Sequence, residues 1–160
     1  MSTSSSSKGR ILIGEDLPAL ATLMSDTLTA AGYEVEVASD GEECLRRARE
    51  TVPDLMTLDI MMPKMHGFEV LRALRSDPRT AGIAVIICSG KDFKTDRDTG
   101  EQLGVIDFLT KPIPLAQLVE RIGAYFGERV LQTAPVVPAV PIVGNVNTEI
   151  YRRTVDIKRP

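Results

Sequence analysis

At 160 residues the chain is long enough for one domain with a sizeable core and too short for two ordinary domains and a linker. Its 43% hydrophobic and 26% charged residues exclude disordered, collagen-like and membrane classes, and 4% aromatics without Trp argue against a nucleic-acid binder built on base stacking. The net charge of −3 hides an asymmetry: residues 9–127 carry 13 Lys and Arg against 19 Asp and Glu, residues 128–160 five against three. Such an acidic body repels DNA, and the mildly basic tail lacks the dense clustering that phosphate binding needs.

The Ser-rich start, Ser2 to Ser7, has no apolar core of a signal peptide, and no apolar run approaches the roughly 18 residues of a membrane span. Residues 1–8 read as a disordered N-terminus of a cytoplasmic protein with no membrane contact.

Five apolar runs follow: Ile11-Leu12-Ile13, Val35-Glu36-Val37, Leu55-Met56-Thr57-Leu58, Ile83-Ala84-Val85-Ile86-Ile87 and Ile106-Asp107-Phe108-Leu109. Between and after them apolar residues recur with helical period: Leu20, Met24, Leu28 and Ala31, then Leu45 and Ala48, then Leu71 and Leu74, and finally Leu115, Leu118, Val119, Ile122 and Phe126. The pattern is a βα unit repeated five times. Helical crossovers make the strands parallel, and near-continuous apolar character in the first, third and fourth runs fits burial on both faces, so the expected fold is a three-layer α/β sandwich.

Local signals place several boundaries. Asp40 followed by Glu43 starts the second helix as a capping box, Gly32 closes the first helix, and Asp77-Pro78 stops the third. The fourth helix is the weak one: from Lys91 to Leu103 only Phe93 and Leu103 are large and apolar, and Gly100 interrupts it, so a short or mobile element is expected. Past Gly127 a proline recurs every third residue in Pro135-Val136-Val137-Pro138-Ala139-Val140-Pro141, which favours polyproline II geometry. Residues 128–160 therefore read as a tail, either a docking or linker segment or a disordered end, in which Thr148 to Ile157 is the candidate for strand addition to a partner.

Cys44 and Cys88 have neither disulfide nor zinc spacing and read as buried or half-buried thiols. With a single histidine, His66, a His-based triad has little material. Carboxylates must carry any chemistry. In open parallel sheets ligands bind beyond the carboxyl ends of the strands. There the chain places Glu15-Asp16 after the first strand, Asp59 at the end of the third, Ser89-Gly90 after the fourth and Lys111-Pro112 after the fifth. Acidic groups brought this close need a cation, and hard oxygen donors suit Mg²⁺ or Mn²⁺.

The acidic pair, the run Asp59-Ile60-Met61-Met62-Pro63-Lys64-Met65-His66-Gly67, Ser89 and Phe108-Leu109-Thr110-Lys111-Pro112, in this order and each at its strand end, resemble a response regulator receiver domain over residues 9–127. The resemblance implies a flavodoxin-like (βα)5 fold with strand order 2-1-3-4-5. It implies that Asp59 accepts a phosphoryl group from a sensor histidine kinase or phosphotransfer protein in a two-component phosphorelay. It implies Mg²⁺ (or Mn²⁺) held by Asp16, Asp59 and the backbone carbonyl of Met61, with Glu15 behind them and Lys111 as a second positive charge. Ser89 and Phe108 would be the switch residues, altering a surface of the fourth helix, fifth strand and fifth helix. The 33 residues after Gly127 are too few for a helix-turn-helix or catalytic output domain, so a stand-alone regulator of the single-domain chemotaxis kind, acting on a downstream protein partner without direct nucleic-acid contact, is expected.

The chain departs from the family pattern at Glu15, where a second aspartate is common, at Lys64, where an acidic or small residue is more usual, at Val105, which replaces a small residue, and at Phe108, where tyrosine is commoner. Each site residue also has a plainer reading: Asp16 as N-cap of the first helix, Asp59 as a strand-end cap, Ser89 as a loop hydroxyl, Lys111 as a solvated charge, Phe108 as core and His66 as an exposed loop residue. Two whole-protein alternatives stand beside the receiver. A phosphatase of the haloacid dehalogenase type needs a second acid where Met61 stands and a cap domain the length does not accommodate. A phosphorylation-independent interaction module would keep the fold alone. The chain is expected to be no enzyme beyond catalysing its own phosphorylation and dephosphorylation.

Overall fold

The computed structural model of the protein describes residues 6–90 and 94–133, with side chains as far as Gly127. Residues 1–5, Phe93, the proline-rich run from Pro135 and the Thr148 to Ile157 segment lie outside the described residues. Five βα units follow one another: β1 (Arg10–Gly14), α1 (Pro18–Ala30), β2 (Glu34–Ala38), α2 (Gly41–Thr51), β3 (Leu55–Asp59), α3 (Gly67–Ser76), β4 (Ala84–Ser89), α4 (Lys94–Gln102), β5 (Asp107–Thr110) and α5 (Leu115–Thr133). All strand pairings are parallel, in the order β2-β1-β3-β4-β5. This is the flavodoxin-like arrangement that the resemblance implies.

The side-chain alternation of the strands builds two cores. On one face Leu12, Met56, Leu58, Val85 and Ile87 pack with Cys44, Leu45 and Ala48 of α2 and with Phe68, Leu71 and Leu74 of α3. On the other Ile11, Ile13, Leu55 and Ile86 pack with Met24 and Leu28 of α1 and with Leu118, Ile122 and Phe126 of α5. β3 and β4 are buried along their whole length, as continuous apolar runs between two helical layers should be, whereas the edge strands β2 and β5 are only partly buried.

The boundary residues act chemically as their positions suggest. Asp40 takes the Glu43 N–H at 2.8 Å, and Glu43 reaches back to the N–H of Ser39 rather than of Asp40, one residue earlier than a standard capping box. At the end of α1, Gly32 (φ 106°) donates to the Thr29 carbonyl and Tyr33 to that of Leu28, a Schellman closure in which Tyr33 and Leu28 share one core. α3 stops at Asp77 (ψ 118°), because Pro78 excludes the helical region from the residue before it. α4 is short, nine residues, as expected. α5 runs past the boundary expected at Gly127 as far as Thr133. A single glycine costs a helix only about 1 kcal/mol, and the residues after it, Glu128, Arg129, Leu131 and Gln132, are good helix formers.

Candidate functional site

Because β1 and β3 are neighbours at the centre of the sheet, their carboxyl ends bring Glu15, Asp16 and Asp59 together: one oxygen from each lies within 4.8 Å of the others. Glu15 and Asp59 are 2% and 5% exposed, while Asp16 is half-buried and keeps the cluster open to solvent. From the edge of the sheet β5 delivers Lys111, whose Nζ lies 2.5 Å from Glu15 Oε1 and 2.9 Å from Asp59 Oδ2. One ammonium thus bridges two buried carboxylates.

Asp16 does not cap α1. The N-cap position belongs to Leu17, followed by Pro18, and the Leu17 N–H donates to Glu15 Oε2 at 3.2 Å. Both Glu15 oxygens are therefore engaged, one by Lys111 and one by the start of α1, and Asp16 is left to face the cluster. The Met61 N–H donates to Asp59 Oδ1 at 3.0 Å, so Asp59 does serve as a cap for its own turn, while the Met61 side chain is exposed. The turn is tied down further by Gly67 N–H donating to the Ile60 carbonyl, by Gly41 N–H donating to that of Pro63, and by Lys64 Nζ at 3.3 Å from Asp40 Oδ2. Sequence reasoning saw Lys64 only as a departure and His66 only as a loop residue. Lys64 sits in the left-handed region (φ 68°), where its side chain reaches the N-cap of α2, and His66 is the N-cap of α3, its Nδ1 accepting the Phe68 N–H.

Burial raises the Glu15 carboxyl above its ordinary range, opposed by Lys111 and the Leu17 N–H and reinforced by the negative charge of Asp59. Burial also pulls on Lys111 in the direction of deprotonation, but the bonds and charges of Asp59 and Glu15 outweigh it and hold the ammonium above its ordinary range. Three carboxylates from two strand ends, all hard oxygen donors around one half-open point, fit a small divalent cation such as Mg²⁺. The thiols contribute nothing here: burial pushes both Cys44 and Cys88 up to about 12.

Ser89 ends β4, 4% exposed, and its carbonyl accepts the Lys111 N–H at 2.8 Å, just before the cis Lys111-Pro112 bond that follows β5. Phe108, paired in register with Ile87, packs its ring on α4. A Cβ on Gly100 would lie 2.3 Å from that ring, and the guanidinium of Arg97 lies over it at 5.7 Å. The glycine that weakens α4 as a helix is thus the seat of the aromatic ring. Behind it a groove of about 540 Å³ runs between α4, β5 and α5, lined by Arg97, Phe108, Pro112, Gln117 and Arg121.

Comparison with known proteins agrees with this geometry. The family model for the response regulator receiver domain matches residues 11–123. The chain is 43% identical over 113 residues to the response regulator PleD of Caulobacter vibrioides, covering 71% of this chain and 25% of PleD. It is 37% identical over 115 residues to protein PilH of Pseudomonas aeruginosa, covering 72% of this chain and 95% of PilH. It spans a quarter of PleD and about half of transcriptional regulators such as RpaA of Synechocystis. Among solved structures, the chemotaxis protein CheY4 of Vibrio cholerae superposes with a TM-score of 0.68 at 29% identity, over 71% of this chain and 95% of that one. A CheY-like receiver from Methanospirillum hungatei gives 0.72 at 27% identity, over 77% and 97%. Receiver domains work with histidine kinases or phosphotransfer proteins and bind Mg²⁺ at an acidic pocket. No helix among the described residues is long and apolar enough to cross a membrane. The chain belongs to the response regulator receiver domain family of two-component signalling.

Proposed function

We propose that Asp59 is the phosphoacceptor, taking a phosphoryl group from a phosphohistidine of a sensor histidine kinase or phosphotransfer protein. The observation that carries this reading is the convergence of Asp59, Asp16, Glu15 and Lys111 from three strand ends on one point. A carboxylate oxygen of Asp59 forms the new bond to phosphorus as the phosphorus–nitrogen bond breaks. Its electron pair stays on the departing imidazole, and an acyl phosphate remains. Lys111, already held on Asp59, compensates the added negative charge, and the hydroxyl of Ser89, at the end of the neighbouring strand, would donate to a phosphoryl oxygen. Asp16, Asp59 and the Met61 carbonyl would hold Mg²⁺, with Glu15, whose oxygens are already engaged, behind them; when bound, the ion neutralises the charge of the transferring group.

The output runs through α4, β5 and α5 to a protein partner, with Phe108 as the moving ring and no direct nucleic-acid contact. The domain acts in the cytoplasm on its own aspartate and on no separate substrate. Incubation with acetyl phosphate and Mg²⁺, read by intact mass, should add one phosphate to the wild type and none to Asp59→Asn. No addition to a folded wild type, or equal addition to both, overturns the assignment and leaves a phosphorylation-independent interaction module.

A further inference from the structure

Arg75, in the last turn of α3, spends its guanidinium on the backbone of two other segments. Nη1 donates to the carbonyls of Ala81 and Ile83, both at 2.8 Å, before β4. Nε donates to that of Leu103 at 2.7 Å and Nη2 to that of Gly104 at 3.4 Å, at the end of α4. Among the described residues it has no carboxylate partner. Leu103 and Gly104 belong to a Schellman closure, in which Gly104 (φ 73°) donates to Glu101 and Val105 to Gly100. That closure satisfies the carbonyls of Gly100 and Glu101, and the arginine satisfies those of Leu103 and Gly104 while placing a cation at the negative end of the helix dipole.

The remainder of α4 is held very differently. Gly100 is its only buried residue, and the Phe108 ring of β5 lies beneath that glycine. From this geometry we infer that Arg75 is the fixed anchor of α4: when Phe108 moves, the helix turns about its C-terminal end, and its N-terminal part is what a partner senses. The inference rests on the phosphoacceptor reading for its trigger, and on the arginine contacts alone for its anchor. Arg75 is then a positioning residue, beside the start of β4 and remote from the reacting atoms at the carboxyl ends of the strands.

Residue-resolved hydrogen exchange on the full chain tests both parts, with beryllofluoride and Mg²⁺ as the probe in place of a phosphoryl group. In the wild type the probe should change exchange at Asp98, Thr99 and Gly100 by roughly threefold or more while Leu103, Gly104 and Val105 stay within about twofold. Without the probe, Arg75→Met should speed exchange at 103–105 by roughly tenfold, and Arg75→Lys, which keeps the charge but cannot serve four carbonyls, by less. The Lys variant carries the test if the Met variant does not fold. Exchange at 103–105 equal to wild type in the folded variants overturns the anchor, and a uniform response of α4 to the probe overturns the turning motion. Absence of a beryllofluoride adduct by mass counts against the phosphoacceptor reading and the turning motion, leaving the anchor to the probe-free comparison.

Discussion

The two flanks of the acidic cluster are built in opposite ways. On the β3 side, the turn from Asp59 to Gly67 is held by the Met61, Gly67 and Gly41 N–H groups and by the Lys64–Asp40 pair, and α3 behind it buries Gly67, Phe68, Val70, Leu71 and Leu74. On the β4 side, α4 buries Gly100 alone and rests on Phe108 and Arg75. The difference teaches where a charge event at Asp59 can be felt. A packed helix resists displacement because each buried side chain has close neighbours, whereas a polar helix seated on one ring follows that ring.

The comparison breaks first in the core. Leu71→Ala, fully buried in α3, should lower unfolding stability by about 2–5 kcal/mol in urea titration, while Asp98→Ala in α4 should stay within about 0.5 kcal/mol. Comparable losses from the two would mean that α4 is packed as tightly as α3. Smaller, and specific to the α4 side, is Gly100→Ala. This exchange normally favours a helix, but here the new methyl meets the Phe108 ring, so a net loss of roughly 1–3 kcal/mol is expected. A gain in stability, measured in the same titration, would show that the ring leaves α4 freely.

The smallest change sharpens the link between the flanks, because Lys111 from β5 holds Glu15 and Asp59. Its folded pKa lies above the ordinary lysine value, so its contribution is complete below that value and is lost as pH rises through the folded one. The stability gap between wild type and Lys111→Met should therefore stay flat from about pH 7 to about pH 10 and close above it. A gap that closes near neutrality would mean that the ammonium is not the paired species. Glu15 works in the other range: with its pKa raised in the folded state, it adds stability in acid that fades as pH climbs through that raised pKa.

Much of this was legible before any coordinates. The runs at Leu55-Met56-Thr57-Leu58 and Ile83 to Ile87 announce buried parallel strands, since a strand covered on both faces has no polar side to show, and they match β3 and β4 closely. Gly32, Asp40 and Asp77-Pro78 mark helix ends because capping is local chemistry that neighbouring residues complete. His66 escaped that reading because imidazole is an uncommon cap, and Arg75 because an arginine in a helix's last turn ordinarily signals only charge.

Local pattern therefore settles elements, edges and the family-like order of motifs, each of which involves residues within a few positions of one another. Distance along the chain marks the limit. Lys111 meets Asp59 across 52 positions, Arg75 meets Leu103 across 28, and the Phe108 ring lands on Gly100. Those meetings depend on the strand order that places β1, β3, β4 and β5 side by side, and on packing that excludes water from the groups so joined. No periodicity within a segment encodes which distant carbonyl or carboxylate a side chain will find, because that choice is made by the folded sheet.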